Sequence, residues 1–289
     1  MKYFIVDVFC KEKYTGNQLA VVLANSSLTK NEMQVIANEF HFSETTFILG
    51  KNEQDNSYRV LIFTPKSEVP FAGHPTLGTA FIIRNEIEFT KPENIFLDLN
   101  VGKIKVSFDD KNNIQWMKQI EPEFGKIHSK NKVAELINLK KDNIDEKFPI
   151  QEVSTGINFL IIPLKNINSV KKASTNLILY KKYFKDKKPL PIFIFCPETY
   201  EKENKVNCRL FADVFGVPED PATGSANGCL AAYLAHYKYF GSNKVDITVE
   251  QGYEINRKSI LHLRSNLESN KYNIEVGGKV IKVSEGLLL

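Results

Sequence analysis

Two short segments of the chain limit its possible folds most, because they are small or apolar on every side. Residues 73–83 read GHPTLGTAFII, and residues 224–234 read GSANGCLAAYL. A helix without a polar face has to be buried, and Pro75 suits the first turn of the first segment. The sequence therefore predicts two buried helices, each of which needs a shell of other elements around it.

The surroundings of the two segments repeat. Residues 68–74 and 219–225 share the pattern Glu-x-Pro-x-x-Gly, and residues 14–23 (YTGNQLAVVL) resemble residues 154–163 (STGINFLIIP). Two matches in the same order indicate an internal duplication. Because extended apolar stretches flank both helices, we predict an α+β fold with two pseudo-symmetric lobes. Each lobe would be a mostly antiparallel, barrel-like sheet around one buried central helix.

Local signals fill in parts of this outline. Thr29 and Glu32 form a capping box before the amphipathic stripe of residues 33–40, which predicts a helix. The polar run 109–113 (DDKNN) predicts a turn near a domain boundary. Residues 165–188 are rich in Asn and Lys, and we expect them to form an exposed excursion.

Composition argues against several classes of function. The net charge is +4, but only five of the 38 basic residues are arginine, the preferred side chain for phosphates and base edges. The apolar stretch 190–196 is far shorter than the ~20 residues of a membrane span. The first residues read as a strand rather than a signal peptide. We therefore expect a cytoplasmic protein with no nucleic-acid or membrane partner.

Cofactor and metal motifs are also missing from the sequence. The four cysteines have no C-x-x-C spacing, and the five histidines are scattered, so no metal site is predicted. There is no Gly-x-Gly-x-x-Gly or Walker pattern. We expect no cofactor and reduced, buried thiols.

The starts of the two predicted helices are candidates for ligand binding. The first turn of a helix offers unpaired N–H groups and a partial positive charge, which suit a carboxylate or a phosphate. Titratable or polar residues collect there: His74 opens one helix, and Asp220 and Ser225 flank the other. We predict one cleft between the lobes that holds a small ligand with a carboxylate or phosphate group. The alternative is that both loops are simply tight turns between a strand and a helix.

Glu44 is a candidate general base. It enters an apolar strand between Phe42 and Phe47, where desolvation would raise its pKa toward neutrality. The alternative is an ordinary surface glutamate at the start of a strand.

These motifs together resemble a known family. Residues 68–78 (EVPFAGHPTLG) and 220–226 (DPATGSA) are similar to the two signatures of the PhzF phenazine-biosynthesis-like isomerases. The resemblance covers the whole chain in order, with one departure at Gln18, where the family usually has proline. Shorter matches are residues 16–22 (GNQLAVV), 43–45 (SET), 250–253 (EQGY) and 276–286 (VGGKVIKVSEG).

The resemblance implies a diaminopimelate-epimerase-like fold with the active site between the lobes and the last strand returned to the first lobe. The expected domains are residues 1–112 with a C-terminal return of 278–289, and residues 113–277. It also implies a cofactor-independent isomerase and, we expect, a homodimer. The family's residues fall on catalytic Glu44, His74 and Asp220, and on substrate-binding Gly73, Gly224 and Ser225.

Related epimerases and proline racemases act through two cysteines, one at each helix start. Here those positions are Ala72 and Thr223, so two-thiol chemistry is not expected. The expected reaction moves a proton between carbons of a small conjugated carboxylate, with Glu44 as acid and base. Two alternatives stay open: an epimerase of an amino or hydroxy acid, and a non-catalytic protein that binds small molecules.

Overall fold

The computed structural model describes residues 1–25, 27–269 and 271–289. Its strands are β1 (Lys2–Val8), β2 (Asn17–Leu23), β3 (Glu44–Asn52), β4 (Ser57–Phe63), β5 (Glu68–Val69), β6 (Asn94–Leu99), β7 (Gly102–Asp109), β8 (Ile114–Lys118), β9 (Glu123–His128), β10 (Ile150–Ser154), β11 (Asn158–Pro163), β12 (Ile192–Cys196), β13 (Val206–Ala212), β14 (Val217–Asp220), β15 (Lys244–Gln251), β16 (Ser259–Glu268), β17 (Lys271–Gly278) and β18 (Val280–Leu287). Its α-helices are α1 (Lys30–Phe40), α2 (Gly73–Ile82), α3 (Lys130–Leu136), α4 (Ile167–Lys172), α5 (Leu177–Tyr183) and α6 (Gly224–His236).

The chain forms two compact units, one of them discontinuous. The first unit comprises Met1–Lys118 and Gly277–Leu289, and the second comprises Gln119–Val276. The predicted boundary at residue 112 lies earlier than the observed one because the polar run 109–113 is the turn of a hairpin. Strand β8 follows that turn and pairs with β7 in the first unit.

In the first unit, the strands follow one another in the order β18, β1, β2, β3, β4, β6, β7, β8, and β5 adds to β4. The β2–β3 and β4–β6 pairs are parallel. The other pairs in this order are antiparallel. Each parallel pair needs a crossover, which α1 supplies before β3 and α2 before β6.

The second unit repeats this pattern with different strands. Its order is β9, β10, β11, β12, β13, β15, β16, and β14 adds to β13. The parallel pairs β11–β12 and β13–β15 again stand at the crossovers, which here contain α4 with α5, and α6. Because the repeat extends to the pairing directions, the structure confirms the α+β fold of two similar units.

Both predicted central helices are buried. Every residue of α2 except Phe81 is buried, as is every residue of α6 except His236. Helix α2 contacts β1, β2, β3, β6, β7 and β8 of its own unit. It approaches the sheet so closely that a Cβ atom on Gly78 would lie 2.6 Å from Leu19 Cδ2.

Helix α1 confirms the predicted capping box. The Glu32 backbone N–H donates to the Thr29 hydroxyl at 3.3 Å, and the Thr29 backbone N–H donates to Glu32 Oε2 at 2.8 Å. Among the described residues, no helix is long and apolar enough to cross a membrane.

The prediction of an exposed excursion at residues 165–188 is wrong. This segment forms α4 and α5, and Val170, Tyr180 and Phe184 are buried in the core of the second unit. The backbone carbonyls of Val170 and Ala173 accept hydrogen bonds from Arg209, each at 2.8 Å. Lysines flank these buried residues in the sequence, so the sequence pattern does not indicate the two short amphipathic helices.

Candidate active site

Glu44 and His74 meet in the first unit because of where β3 and α2 begin. Glu44 is the first residue of β3, opposite Leu19 of β2, and His74 is the second residue of α2. Glu44 Oε2 lies 3.4 Å from His74 Nε2, and the two side chains are 19% and 6% exposed. A carboxyl group and an imidazole are therefore held together at a largely buried site.

His74 is a neutral imidazole at physiological pH. Burial lowers its pKa to about 3, although a hydrogen bond with the backbone of Gln18 acts in the opposite direction. A bond that favours the protonated ring is one that the ring donates, so its acceptor is the Gln18 carbonyl. Because Nε2 faces Glu44, the donor is Nδ1, and Nε2 carries a lone pair in the neutral ring.

The contact with Gln18 uses the backbone alone. Proline has a carbonyl group as well, so the departure from the family pattern at Gln18 does not affect this contact.

Asp220 and the start of α6 form a second cluster, in the second unit. Asp220 ends β14, and Thr223 is the N-cap residue of α6. The Thr223 hydroxyl donates a hydrogen bond to Asp220 Oδ2. The carboxylate of Asp220 is therefore tied to the first turn of the helix that carries Gly224 and Ser225.

The two predicted glycines occupy equivalent positions in the two units, and Ser225 stands in α6 where His74 stands in α2. Gly73 and Gly224 are the first residues of α2 and α6, and both glycines and Ser225 are buried. Ala72 and Thr223, the residues at the N-caps, make no side-chain capping bond to these helices. The structure thus brings Glu44, Gly73 and His74 together in the first unit, and Asp220, Gly224 and Ser225 in the second.

The sequence analysis assigned no role to Gln251, which contacts the second cluster. Its side-chain carbonyl Oε1 accepts from the Thr223 backbone N–H at 3.2 Å. Its Nε2 donates to the Asp220 carbonyl at 2.9 Å and to the Thr223 hydroxyl at 3.1 Å. The EQGY match marked Gln251 as a residue of interest. It did not indicate the partner, because Thr223 lies 28 residues earlier in the chain.

The cysteines are poorly suited to acid–base chemistry. All four are buried. Burial raises the pKa of the Cys196 thiol and of the Cys229 thiol to about 12, and raises that of Cys208 as well. A thiol held in its protonated form is a weak base and a weak nucleophile.

The chain is similar to known proteins over nearly its whole length. The family model described as phenazine biosynthesis-like protein matches residues 6–286. An isomerase of Clostridium acetobutylicum, itself uncharacterised, is 30% identical over 98% of this chain and 96% of its own length. The trans-2,3-dihydro-3-hydroxyanthranilate isomerase of Pseudomonas aeruginosa is 29% identical over 99% of this chain and 98% of its own length.

Solved structures show the same fold. A phenazine biosynthesis protein of the PhzF family from Bacillus anthracis superposes with a TM-score of 0.91, at 28% identity, over 100% of this chain and 99% of that one. A probable proline racemase from Agrobacterium radiobacter gives a TM-score of 0.61 at 9% identity, over 100% of this chain and 92% of that one. This second likeness concerns the fold alone.

The fold therefore belongs to the diaminopimelate-epimerase-like class, and the two solved structures share its architecture. Within that class, the chain belongs to the phenazine biosynthesis-like (PhzC-PhzF) family. It is an isomerase, as its named relatives are.

Proposed function

We propose that this isomerase moves a proton between two carbons of a small, conjugated, carboxylate-bearing compound, with Glu44 as the acid and base. The observation that supports this proposal most directly is the 3.4 Å contact between Glu44 Oε2 and Nε2 of a buried, neutral His74. A neutral imidazole does not lock the carboxylate into an ion pair. The contact with His74 therefore leaves Glu44 able to take up and release a proton.

The two side chains have complementary roles in the proposed reaction. Glu44 removes a proton from one carbon, and the electron pair left behind spreads into the conjugated system. The protonated Glu44 then donates to the lone pair of His74 Nε2, which stabilises the acid form until the proton is returned to another carbon. His74 keeps this lone pair because its other ring nitrogen donates to Gln18.

Asp220 is assigned a catalytic role, and the other predicted residues are assigned to substrate binding. Gly73 and Gly224 begin helices whose first backbone N–H groups are oriented to favour an anion. Asp220 orients a polar substituent of the substrate and stabilises the charge that develops during the reaction, and Ser225 helps to hold the carboxylate. That these residues act on the same molecule as Glu44 stays a prediction, as do the cytoplasmic location and the homodimer. Light scattering on the purified protein tests the homodimer.

The substrate class is tested with the compound that the Pseudomonas aeruginosa relative is named for. We expect this protein to isomerise trans-2,3-dihydro-3-hydroxyanthranilate, or a close analogue, and to introduce deuterium at carbon from D2O. Proton NMR follows both events. Inversion at one carbon without movement of the double bonds would instead support an epimerase. Binding without deuterium uptake would support a non-catalytic protein.

The role of Glu44 is tested with Glu44→Gln, which keeps the shape of the side chain and removes the transferable proton. Turnover should fall by about 10²–10⁴-fold, the usual contribution of general acid–base catalysis, while ligand affinity measured by calorimetry is retained. Glu39→Gln is the matched control, because Glu39 is an exposed carboxylate on α1. Full activity in Glu44→Gln would contradict the proposal.

A further inference from the structure

We propose that Thr223 and Gln251 are positioning residues that fix the Asp220 carboxylate for the reaction. This inference rests on the proposed function, because it concerns how Asp220 is held. It begins from the EQGY match at residues 250–253, to which the proposed mechanism gives no role. Gln251 is fully buried at the end of β15, and its side chain makes contacts with the 220–223 loop.

The hydrogen bonds of Gln251 determine the orientation of its amide group. Oε1 accepts from the Thr223 backbone N–H at 3.2 Å and from Asn227 Nδ2 at 2.9 Å. Nε2 donates to the Asp220 backbone carbonyl at 2.9 Å. A backbone N–H can only donate and a carbonyl can only accept, so a flipped amide would lose its bonds to the Thr223 N–H and to the Asp220 carbonyl.

The orientation of this amide in turn sets the direction of the Thr223 hydroxyl. Nε2 of Gln251 donates to Thr223 Oγ1 at 3.1 Å, so the hydroxyl oxygen is an acceptor there. The hydroxyl has a single proton, and that proton is donated to Asp220 Oδ2. The relay from Gln251 through Thr223 therefore presents a donor to Asp220, and a donor to a carboxylate makes a strong, charge-assisted bond.

The end of β15 is built to lie close to this loop. Gly252 has a φ of +75°, and a Cβ atom there would lie 2.6 Å from the Pro221 carbonyl oxygen. Glu250, also fully buried, accepts hydrogen bonds from the backbone N–H groups of Tyr200 and Glu201, each at 2.8 Å. Glu250 thus anchors the end of β15. Gln251 beside it holds the backbone of Asp220 directly and the side chain of Asp220 through Thr223.

The relay is tested first with single substitutions. Thr223→Val keeps the shape of the side chain and removes the hydroxyl, so kcat should fall by about 10–100-fold through misplacement of Asp220, while KM changes little. Thr223→Ser should restore kcat, and Gln251→Glu should resemble Thr223→Val. Thr248→Val is the matched control. Thr248 lies on β15, the strand of Gln251, and its hydroxyl donates to the Glu203 carbonyl rather than to Asp220. A fully active Thr223→Val would overturn the proposal.

A double-mutant cycle with Asp220→Asn separates positioning from a merely structural role. If Thr223 acts through Asp220, the double variant should be no slower than Asp220→Asn alone. Additive losses would overturn the relay but leave the proposed function standing. A fully active Asp220→Asn would instead show that Asp220 has no part in the reaction. The relay, which is proposed to position Asp220, would then be overturned as well.

A further measurement does not depend on turnover, in case the wild-type protein fails to convert trans-2,3-dihydro-3-hydroxyanthranilate. The Thr223 hydroxyl is half-buried, and its donation to a carboxylate should slow its exchange with water enough to give its own proton NMR signal at low temperature. We expect this signal in the wild-type protein, its loss in Thr223→Val and its displacement in Gln251→Glu. Its absence from the wild-type spectrum would overturn the relay, whatever the substrate.

Discussion

At the scale of single residues, Glu44 and His74 illustrate what sequence can and cannot predict. The motifs predicted both residues, and the structure places them in contact. The sequence left open whether His74 would be charged, because its charge depends on how deeply α2 is buried and on the Gln18 carbonyl of β2. The structure makes His74 neutral, which changes its role from a counter-ion of Glu44 to a hydrogen-bond acceptor for the protonated carboxyl.

The neutral state of His74 predicts a pH dependence of stability. Its pKa is lowered from 6.5 to about 3 on folding, so the unfolded chain binds a proton that the folded protein excludes between these values. The contribution of His74 is fully present above pH 6.5 and is lost as the pH falls toward 3. The free energy of unfolding, measured in urea between about pH 7.5 and about pH 5, should vary less with pH in His74→Gln than in the wild-type protein. The two slopes should differ by up to ~1.4 kcal/mol per pH unit. Identical slopes in the two proteins would contradict a neutral His74.

At the scale of elements, residues with a regular spacing were predicted well. The all-apolar segments became α2 and α6, and the Thr29 capping box begins α1. The prediction failed at residues 165–188, where a few buried residues are interspersed among lysines over two short helices. Their burial depends on partners that are distant in sequence, such as Arg209, which holds the carbonyls at the end of α4.

The close packing of α2 predicts different responses to alanine at two helix glycines. A Cβ atom on Gly78 would lie within 3.1 Å of Leu19, Val8 and Val6 side-chain atoms. This overpacking should cost about 1–3 kcal/mol, more than the ~1 kcal/mol that alanine gains in helix propensity. The three atoms nearest to a Cβ atom on Gly228 of α6 all belong to the side chain of Gln119, which is unbranched and has more rotatable bonds than the side chains around Gly78.

Chemical denaturation of Gly78→Ala and Gly228→Ala tests this difference. Gly78→Ala should lower the free energy of unfolding, and Gly228→Ala should stay within about 1 kcal/mol of the wild-type protein, as the gain in helix propensity offsets the displacement of Gln119. Equal losses in the two variants would show that the branched side chains around Gly78 move aside as easily as Gln119.

At the scale of the whole molecule, the duplication could be predicted, whereas its full extent could not. The Glu-x-Pro-x-x-Gly repeat marked the two central helices. The parallel pairs β2–β3 and β11–β12 stand at the same place in each unit, but pairing direction leaves no repeat in the sequence. The Gln251 contact was likewise invisible, because it joins the end of β15 to a loop that precedes α6. Local patterns predicted the elements, and only folding shows which distant elements meet.

The discontinuity of the first unit predicts which pieces of the chain can fold. Strand β18 pairs with β1 from Lys2 opposite Leu287 to Val8 opposite Val280. Residues 1–118 alone should therefore expose an apolar strand edge and aggregate or remain unfolded. The Met1 amino group donates to the Leu288 carbonyl at 2.6 Å, and the Leu288 N–H donates to the Met1 carbonyl at 2.8 Å.

Since the ends of the chain adjoin one another, a short Gly/Ser linker can join Leu289 to Met1 without strain. A permuted unit, with residues 277–289 placed before residues 1–118, should recover β18 and unfold cooperatively on heating, as followed by circular dichroism. Because Gly277 lies against Trp116 and Ile114 of β8, a second permuted unit that starts at Lys279 is compared as well, and its difference from residues 1–118 isolates the effect of the β1–β18 pairing. If residues 1–118 fold as well as the permuted unit, the returning strand is dispensable for the first unit.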